Sequence, residues 1–314
     1  MNKDAKILIL GANGLVGSSL VSVFKKNGYQ NLLKPTRKDL DLLSQNKVDE
    51  YFNIQRPEYV LDAAAKVGGI HANNEYRADF IFQNLLMQNN IFKACFENKI
   101  KKFLFLGSSC IYPKECPQPI KEEYLLTGPL EKTNEPYAIA KIAGLKTAEN
   151  FKRQYACDFF SVMPTNLYGE NDNFHPENSH VIPALIQRMD KAIKNNASTF
   201  TAWGTGAPCR EFLHVNDLAE ACLFLMKYNQ ELPYWINVGS GKDVTIKELT
   251  QLVSDIMGFK GQILFDTSKP DGTAKKLLDV SKINSLGWQS KIPLREGLVS
   301  VIQHYKRNEN IRSY

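Results

Sequence analysis

The stretch KILILGANGLVGSSLVSVFKK, residues 6–26, joins a short apolar run to a glycine turn and then to an amphipathic segment. Gly11, Gly14 and Gly17 lie in the turn. Glycines there permit a tight bend and close approach of the backbone to a pyrophosphate, while a helix N-terminus supplies free N–H groups. The stretch therefore predicts a strand, a turn and a helix that bind a dinucleotide. A turn that only ends a strand is the alternative.

The same alternation of short apolar strands and helical periodicity continues to residue 165. Strands are predicted at 7–10, 59–62, 103–106 and 159–163, and helices at 15–26 and 78–96. Strands that alternate with long helices indicate βαβ units and a parallel sheet covered on both faces. The helix over 78–96 is predicted to bury one broad stripe: Ala78, Ile81, Phe82, Leu85, Ile91, Phe92, Cys95 and Phe96.

The pattern becomes less regular after residue 165. A polar loop at 169–179 precedes predicted helices at 182–193, 217–226 and 245–257, with a strand at 235–238. The sequence thus predicts an α/β protein with a Rossmann-type doubly wound parallel sheet. Residues 1–165 are expected to form the dinucleotide-binding domain, rejoined by about 212–240. Residues 166–314 are expected to form a smaller α/β substrate lobe, with the active site in the cleft between them.

Composition and charge exclude several classes of protein. The 314 residues are 43% hydrophobic and 23% charged, which excludes a disordered or collagen-like chain. The 39 Lys and Arg exceed the 33 Asp and Glu by only six, too few to indicate a nucleic-acid binder, although they suit phosphorylated small molecules. No export signal, membrane span or metal-site spacing is apparent, and the six cysteines are scattered. We expect a cytoplasmic protein with reduced thiols.

The segment LLKPTRKDLDL, residues 32–42, indicates whether the chain binds NAD or NADP. An acid at the end of the second strand binds the ribose 2′-OH of NAD, whereas a basic residue accommodates the 2′-phosphate of NADP. Here Lys34, Arg37 and Lys38 precede the first acid, Asp39. The segment predicts NADP, with Arg37 as the phosphate ligand and the two lysines in solvent.

Two further motifs bring acid–base groups to the same region. Tyr137 and Lys141 stand four apart in EPYAIAKIAG (135–144), so a helix presents both on one face. A phenol has a pKa near 10, and a nearby ammonium is expected to lower it. The segment GSSCIYP (107–113) follows a predicted strand and brings Ser108 and Ser109 to the carboxyl edge of the sheet, where ligands bind.

Together these motifs resemble the extended short-chain dehydrogenase/reductase family. The resemblance covers nearly the whole chain. It is strengthened by AAAKVGGI (63–70), PTNLYG (164–169), NDNFHPENSHVIPALI (171–186), REFLHV (210–215) and SKPDGTAKKLLDV (268–280), which are similar to family members acting on GDP-4-keto-6-deoxy sugars. It implies an NADPH-dependent reduction of a C4 ketone, coupled to epimerisation at C3 and C5.

The resemblance also implies catalytic roles. Ser108 would hydrogen-bond the C4 oxygen, Tyr137 would donate a proton to it, and Lys141 would tune Tyr137 and bind the nicotinamide ribose. Cys110 and His180 would be the epimerisation pair, because one ketone activates both C3 and C5 and inversion needs a base and an acid. Cys110 as a small buried residue and His180 as a helix cap are the alternatives.

Ligand-binding residues follow from the resemblance in the same way. Guanidinium groups bind a pyrophosphate and an indole stacks on a ring, so the substrate residues would be Asn166, Arg188, Trp203, Arg210 and Asp279. Arg188 on a solvated helix face and Trp203 in a core are the alternatives. Cofactor contacts would come from Gly11, Asn13, Gly14, Leu15, Val16, Gly17, Arg37, Leu106, Gly107, Ser108, Lys141, Pro164, Asn166, Leu167 and His180. Asn13 stands where the family often has an arginine, which leaves the NADP preference to Arg37. His71 and His214 are expected to be structural.

Several functions stay open beside a bifunctional epimerase and reductase. One is a reductase alone, acting on another GDP-4-keto-6-deoxy sugar such as a heptose. A 4,6-dehydratase would need an Asp–Glu pair where Cys110 and Ile111 stand, and a 4-epimerase would need tightly held NAD. A non-catalytic NADP-binding regulator is the fourth. The resemblance further implies a homodimer formed through a four-helix contact of the segments 78–96 and 137–151, with no nucleic-acid or membrane partner.

Overall fold

The computed structural model describes residues 1–175, 179–269 and 271–307. The strands in chain order are β1 (Ile7–Leu10), β2 (Leu32–Leu33), β3 (Tyr59–Asp62), β4 (Lys102–Leu106), β5 (Phe159–Pro164), β6 (Asn166–Tyr168), β7 (Thr199–Trp203), β8 (Cys209–His214), β9 (Trp235–Val238), β10 (Asp243–Thr245), β11 (Gln262–Asp266) and β12 (Lys275–Lys276). The α-helices are α1 (Leu15–Lys26), α2 (Gln45–Gln55), α3 (Ile70–Glu75), α4 (Arg77–Glu97), α5 (Glu135–Tyr155), α6 (Val181–Lys194), α7 (Val215–Lys227), α8 (Ile246–Met257), α9 (Ser281–Leu286) and α10 (Leu294–Arg307).

A six-stranded parallel sheet has the strand order β2-β1-β3-β4-β5-β9. The chain passes from β1 to β2 in one direction and then crosses to β3 on the other side of β1. Ligands of open α/β sheets bind beyond the carboxyl ends of the strands at such a switch point. The predicted fold class is confirmed, and the switch point places a ligand between the ends of β1 and β3.

Both faces of this sheet are buried, which explains the apolar strands. Ile7 and Ile9 of β1 pack in a core with α1 and α7, whereas Leu8 and Leu10 pack in a second core with α2, α4 and α5. Because successive strand residues point to opposite faces, a strand covered on both sides needs apolar residues throughout. The predicted helix at 15–26 and the predicted strand at 235–238 have the observed bounds of α1 and β9.

The stripe predicted for α4 is wrong in part. Phe82 is 66% exposed, and Ala78 and Phe96 are exposed as well, although Ile91, Phe92 and Cys95 are buried as expected. Three polar residues are buried instead and donate to carbonyls, at 2.7–3.0 Å: Asn84 to Phe80 and Lys66, Gln88 to Ala140, and Asn90 to Leu42. The helix therefore buries one face against the sheet and presents a second apolar face outward, which a single-stripe pattern does not describe.

The residues after β5 form a smaller α/β layer around β8. β8 lies between β10 and β12 and also pairs with β6, while β7 pairs with β11. A separate core joins α6, α8 and α10 to these strands. In the parts of the chain that the structure describes, no helix is long and apolar enough to cross a membrane.

Candidate active site

The glycine turn after β1 leaves room that only glycine provides. Gly11 has φ +72°, and a Cβ on it would lie 2.6 Å from the carbonyl oxygen of Ala63. A Cβ on Gly17 would lie 2.1 Å from the oxygen of Gly11. Within the described ranges no side chain caps α1 at Gly14, and its first turn holds no acid, so the N–H groups of that turn can bind an anion. This cradle fits a dinucleotide pyrophosphate. Asn13 is exposed on the turn.

The loop after β2 separates its acid from its cations. The Asp39 carboxylate accepts hydrogen bonds from the Thr36 backbone N–H at 2.8 Å and from its hydroxyl at 2.7 Å. These bonds hold the pKa of Asp39 below its usual value. Arg37, Lys34 and Lys38 are exposed, and the Arg37 side chain forms no hydrogen bond or ion pair with the described residues. The acid is thus occupied within its own loop, while Arg37 is free to meet a phosphate.

Lys141 lies beneath the carboxyl edge of the sheet. It is 4% exposed, and its Nζ donates a 2.7 Å hydrogen bond to the carbonyl of Leu106, the last residue of β4. The same Nζ is 4.6 Å from the centre of the Phe105 ring and 5.9 Å from that of Tyr137. Burial lowers the pKa of Lys141, while the charges of Asp62 and Cys110 raise it.

The expected lowering of the Tyr137 pKa is not found. Burial, with the nearby charge of Cys110, raises the pKa of Tyr137 instead. The reason is geometric: the Lys141 ammonium gives its hydrogen bond to Leu106 and stays beside the ring of the tyrosine. Tyr137 therefore stays protonated at neutral pH, and a neutral phenol is the form that can donate a proton.

Ser108 and Cys110 follow the end of β4. The Ser108 hydroxyl oxygen accepts a 3.3 Å hydrogen bond from the Cys110 backbone N–H, at the start of the short 3₁₀ turn Ser109–Ile111. Both residues are half-buried, whereas Cys95 is fully buried. Before them, Gly107 lies so close to β5 that a Cβ would be 2.4 Å from the Met163 side chain. The Cys110 thiol is thus not fully buried, and its chemical role stays a prediction.

His180 lies at the start of α6, where it occupies the N-cap position without a side-chain capping bond. Its side chain is exposed. No hydrogen bond joins it to Cys110 in the described parts of the chain, and residues 176–178 lie outside them. The helix-cap alternative is thus correct for the backbone, while the paired role of His180 and Cys110 stays a prediction.

Arg188 and Trp203 form a cation–π pair in the second lobe. The Arg188 guanidinium lies 5.3 Å from the ring centres of both Trp203 and Phe200 and donates to the carbonyl of Thr201. Burial lowers the pKa of Arg188. Trp203 is 64% exposed, so it is not a core residue. An exposed indole with a guanidinium over one face can receive an aromatic base on its other face.

Arg210 and Lys276 are neighbours across the β8–β12 pair, where their Cα atoms are in register. Burial lowers the pKa of both. Lys276 also interacts electrostatically with Cys110, and among the described residues it has no ion pair, whereas Lys275 pairs with Asp243 at 3.1 Å. The sequence prediction missed Lys276, because only the strand register distinguishes it from Lys275.

A path of contacts connects Trp203 to this pair of cations. The turn after Trp203 is fixed by Thr205, whose backbone N–H and hydroxyl donate to Asp271 at 2.9 and 2.6 Å. A Cβ on the next residue, Gly272, would lie 2.9 Å from the Arg210 guanidinium. The structure thus brings Trp203, Arg210 and Lys276 into one neighbourhood that continues to Cys110.

The other predicted contacts lie on strand ends and loops. Asn166, the first residue of β6, donates a 2.8 Å hydrogen bond to the carbonyl of Glu211, and Leu167 packs on the core of the sheet. The Asp279 carboxylate accepts a 2.8 Å bond from the Ser281 N–H. Burial raises the pKa of Asp279, but the hydrogen bonds from Ser281 and the charges of Lys121 and Lys282 lower it by more. The pKa of Asp279 is therefore below its usual value. Pro164 ends β5 at the same sheet edge.

The structure gives His214 a packing role. Its side chain is 2% exposed, its Nδ1 accepts a 3.2 Å hydrogen bond from Asn216 N–H, and it meets Tyr168 edge-on. It is the last residue of β8 and the N-cap of α7. The side chain of His71, also expected to be structural, lies outside the described part of the molecule.

Comparison with known proteins agrees with the geometry. The model of the NAD dependent epimerase/dehydratase family matches residues 7–239. GDP-L-fucose synthase 1 of Arabidopsis thaliana is 54% identical over 307 residues, 98% of this chain and 95% of the relative. A GDP-L-fucose synthetase from Naegleria fowleri bound to NADP has a TM-score of 0.93 at 32% identity, covering 100% of this chain and 96% of the other. A GDP-6-OMe-4-keto-L-xylo-heptose reductase from C. jejuni has a TM-score of 0.90 at 36% identity, covering 98% and 99%.

Proposed function

Because the chain belongs to the NAD dependent epimerase/dehydratase family and, within it, to the GDP-L-fucose synthases, we propose that it converts GDP-4-keto-6-deoxy-mannose to GDP-L-fucose. The enzyme is an NADP-dependent oxidoreductase that also has epimerase activity. The observation that carries the proposal is the grouping of Ser108, Cys110, Tyr137 and Lys141 at the carboxyl edge of the sheet, in a chain similar to these enzymes over 98% of its length.

In the reduction, bound NADPH would supply the hydride for C4, and the residues of the chain would handle the proton. The Ser108 hydroxyl and the Tyr137 phenol hydrogen-bond the C4 oxygen, and Tyr137 donates the proton that converts it to a hydroxyl. Its raised pKa keeps that proton in place until the oxygen becomes basic. Lys141 supports the transfer with its positive charge and offers donors to the nicotinamide ribose.

In the epimerisation, the C4 ketone makes the hydrogens on C3 and C5 acidic. The Cys110 thiolate removes a proton from one face, and His180 returns one to the opposite face, so the configuration inverts without net oxidation. Lys276 lies within electrostatic range of Cys110 and adds positive charge to this part of the site. The half-exposed Cys110 thiol must stay reduced for this, which favours a cytoplasmic location.

The ligand-binding residues divide between the two parts of the molecule. We assign residues 1–165, rejoined by 212–240, to NADP, and residues 166–314 to the nucleotide sugar. The glycine turn binds the pyrophosphate of NADP and Arg37 its 2′-phosphate, without a second arginine at Asn13. The nicotinamide end of the cofactor site is lined by Leu106, Gly107, Pro164, Asn166, Leu167 and His180. Trp203 stacks on the guanine, Arg188 and Arg210 bind the diphosphate, and Asp279 accepts hydroxyl hydrogens.

Replacement of Arg210 tests the diphosphate site. Arg210→Met keeps the apolar stem and removes the charge, so we expect KM for the GDP-sugar to rise about ten- to a hundredfold, as for a lost charged hydrogen bond, with little change in kcat. Lys275→Met on the paired strand is the control, because its ammonium pairs with Asp243 outside the site. Steady-state kinetics of NADPH oxidation measure both. Equal KM values for the two variants would contradict the assignment.

The outward faces of α4 and α5 suit a homodimer. Phe82 is 66% exposed and Ile139 is 41% exposed, and the rings of Phe96, Phe151 and Tyr155 cluster between the helices, 4.6–5.7 Å apart. Exposed apolar patches of this kind are typical of protein interfaces. Two copies of each helix would form the proposed four-helix contact.

Light scattering tests this interface directly. We expect the protein to have twice the mass of one chain and Phe82→Glu to shift it to the monomer, because a buried charge costs several kcal/mol. Ile54→Glu is the matched control, since Ile54 on α2 is also 66% exposed. A monomeric wild-type protein, or equal behaviour of the two variants, would refute the interface.

A further inference from the structure

Asp62, the last residue of β3, is a buried carboxylate to which the proposed mechanism gives no role. It is 1% exposed, and its Oδ1 accepts a 3.0 Å hydrogen bond from the Ala64 backbone N–H. Burial raises its pKa to about 6 against the favourable charge of Lys141. Burying a carboxylate is costly, and such groups concentrate at functional sites.

The strand register places this carboxylate beside the catalytic lysine. Asp62 pairs with Phe105 across β3 and β4, so the two side chains lie on the same face of the sheet. The Lys141 ammonium lies 4.6 Å from the centre of that same Phe105 ring. Asp62 and Lys141 form no direct ion pair. Both are buried, however, and their charges are opposite.

Other charged groups around the pair are few. Lys141 also faces Cys110 from the segment after β4 and Tyr137 from its own helix. Asp62 also faces the Cys95 thiol from α4, and Cys95 is buried with a raised pKa. Burial keeps the Cys95 and Tyr137 protons bound, so Asp62, with a pKa of about 6, is the carboxylate that Lys141 meets at neutral pH.

We propose that Asp62 is a positioning residue of the reductase, whose buried carboxylate on β3 keeps Lys141 charged and in place under Tyr137. The inference rests on the proposed function for its catalytic consequence. A buried ammonium without a counter-charge tends to lose its proton, and a neutral Lys141 cannot support proton transfer from Tyr137. The free energy lost by burying the Asp62 carboxylate at the end of β3 is thus offset by its effect on the charge of Lys141.

Asp62→Asn tests the inference, because the amide oxygen can still accept the Ala64 N–H while the charge is lost. We expect the alkaline limit of kcat for ketone reduction to move to lower pH by about one unit or more, because loss of a nearby opposite charge lowers the pKa of a buried ammonium. Below that limit kcat stays near the wild-type value. Asp217→Asn is the control, since Asp217 is equally buried on α7 across the sheet.

Stability gives a second measurement that needs no substrate. A carboxyl whose folded pKa is about 6 and whose unfolded pKa is 3.8 binds more protons in the native state, so its contribution to stability falls as pH rises from 4 to 6. The urea midpoint of Asp62→Asn should therefore rise relative to that of the wild-type protein over this range, and the variant should be the more stable protein at pH 7. A variant with greater stability and an earlier alkaline limit is not expected of a residue with a packing role alone.

The outcomes separate the inference from the proposed function. An unchanged alkaline limit in Asp62→Asn, or a kcat lowered equally at every pH, overturns the inference. If the wild-type protein reduces no GDP-4-keto sugar, the proposed function fails. The alkaline limit of NADPH binding, read by quenching of protein fluorescence, then tests the Asp62–Lys141 pair in place of turnover, with the same expected displacement.

Discussion

Tyr137→Phe is expected to lower kcat for reduction of the GDP-4-keto sugar by about 10²–10⁴-fold, the usual contribution of a positioned general acid. The phenylalanine keeps the ring beside Lys141 and removes only the hydroxyl. Burial keeps the Tyr137 proton bound in the free enzyme, so the loss comes from proton donation and not from a change in local charge. Loss of NADPH absorbance during turnover measures the effect.

A second tyrosine on the same helix supplies the control for that result. Tyr155, at the end of α5, is 49% exposed, and Tyr155→Phe should retain wild-type turnover. Binding of NADPH by Tyr137→Phe should stay within a few-fold of wild type. Unchanged turnover in Tyr137→Phe would show that another group donates the proton. Turnover in the wild-type protein excludes a non-catalytic regulator.

Cys110→Ser should stop epimerisation and leave reduction intact. A serine hydroxyl ionises far less readily than a thiol, so exchange of the C3 and C5 hydrogens should fall by about 10²-fold or more. The Ser108 hydroxyl oxygen still accepts a hydrogen bond from the backbone N–H of residue 110, because that bond does not involve the side chain of residue 110. In deuterated water the variant should incorporate no deuterium, yet it should still reduce a ketone that has already been epimerised.

Cys116→Ser is the matched control for this variant. Cys116 is also half-buried and also lies within electrostatic range of Lys276, but it stands outside the Ser108–Tyr137 grouping. It should exchange deuterium at the wild-type rate. Deuterium incorporation by Cys110→Ser at an undiminished rate would remove Cys110 from the mechanism, and loss of reduction as well would indicate a disturbed site.

The amino-acid pattern predicts the sheet and the loops at its carboxyl edge well, because both depend on local signals. A strand buried on both faces must be apolar, and the close approach of Ala63 to the turn requires a glycine at position 11. The sequence therefore predicts β1, α1 and the switch point without further information. The motif at Ser108 stands just after the end of β4, and the motif at Tyr137 stands at the start of α5. Their grouping needs only the rule that parallel strands end at one edge.

The remaining features depend on contacts between distant segments. The short strands β7, β8, β10, β11 and β12 pair across long stretches of chain and carry weak patterns of their own. The role of Lys276 depends on register with Arg210, and that of Asp62 on register with Phe105. The outward apolar face of α4 is obscured in the sequence, because its buried face holds amides that bond to carbonyls.

One measurement tests the central claim most directly: NMR of the product formed from GDP-4-keto-6-deoxy-mannose and NADPH in deuterated water, beside a parallel reaction with the heptose counterpart. We predict GDP-L-fucose with deuterium at both C3 and C5, formed faster than any heptose product. A C4-reduced product without deuterium at C3 and C5, or turnover of the heptose substrate alone, would contradict the bifunctional reading and leave a C4 reductase of another GDP-sugar.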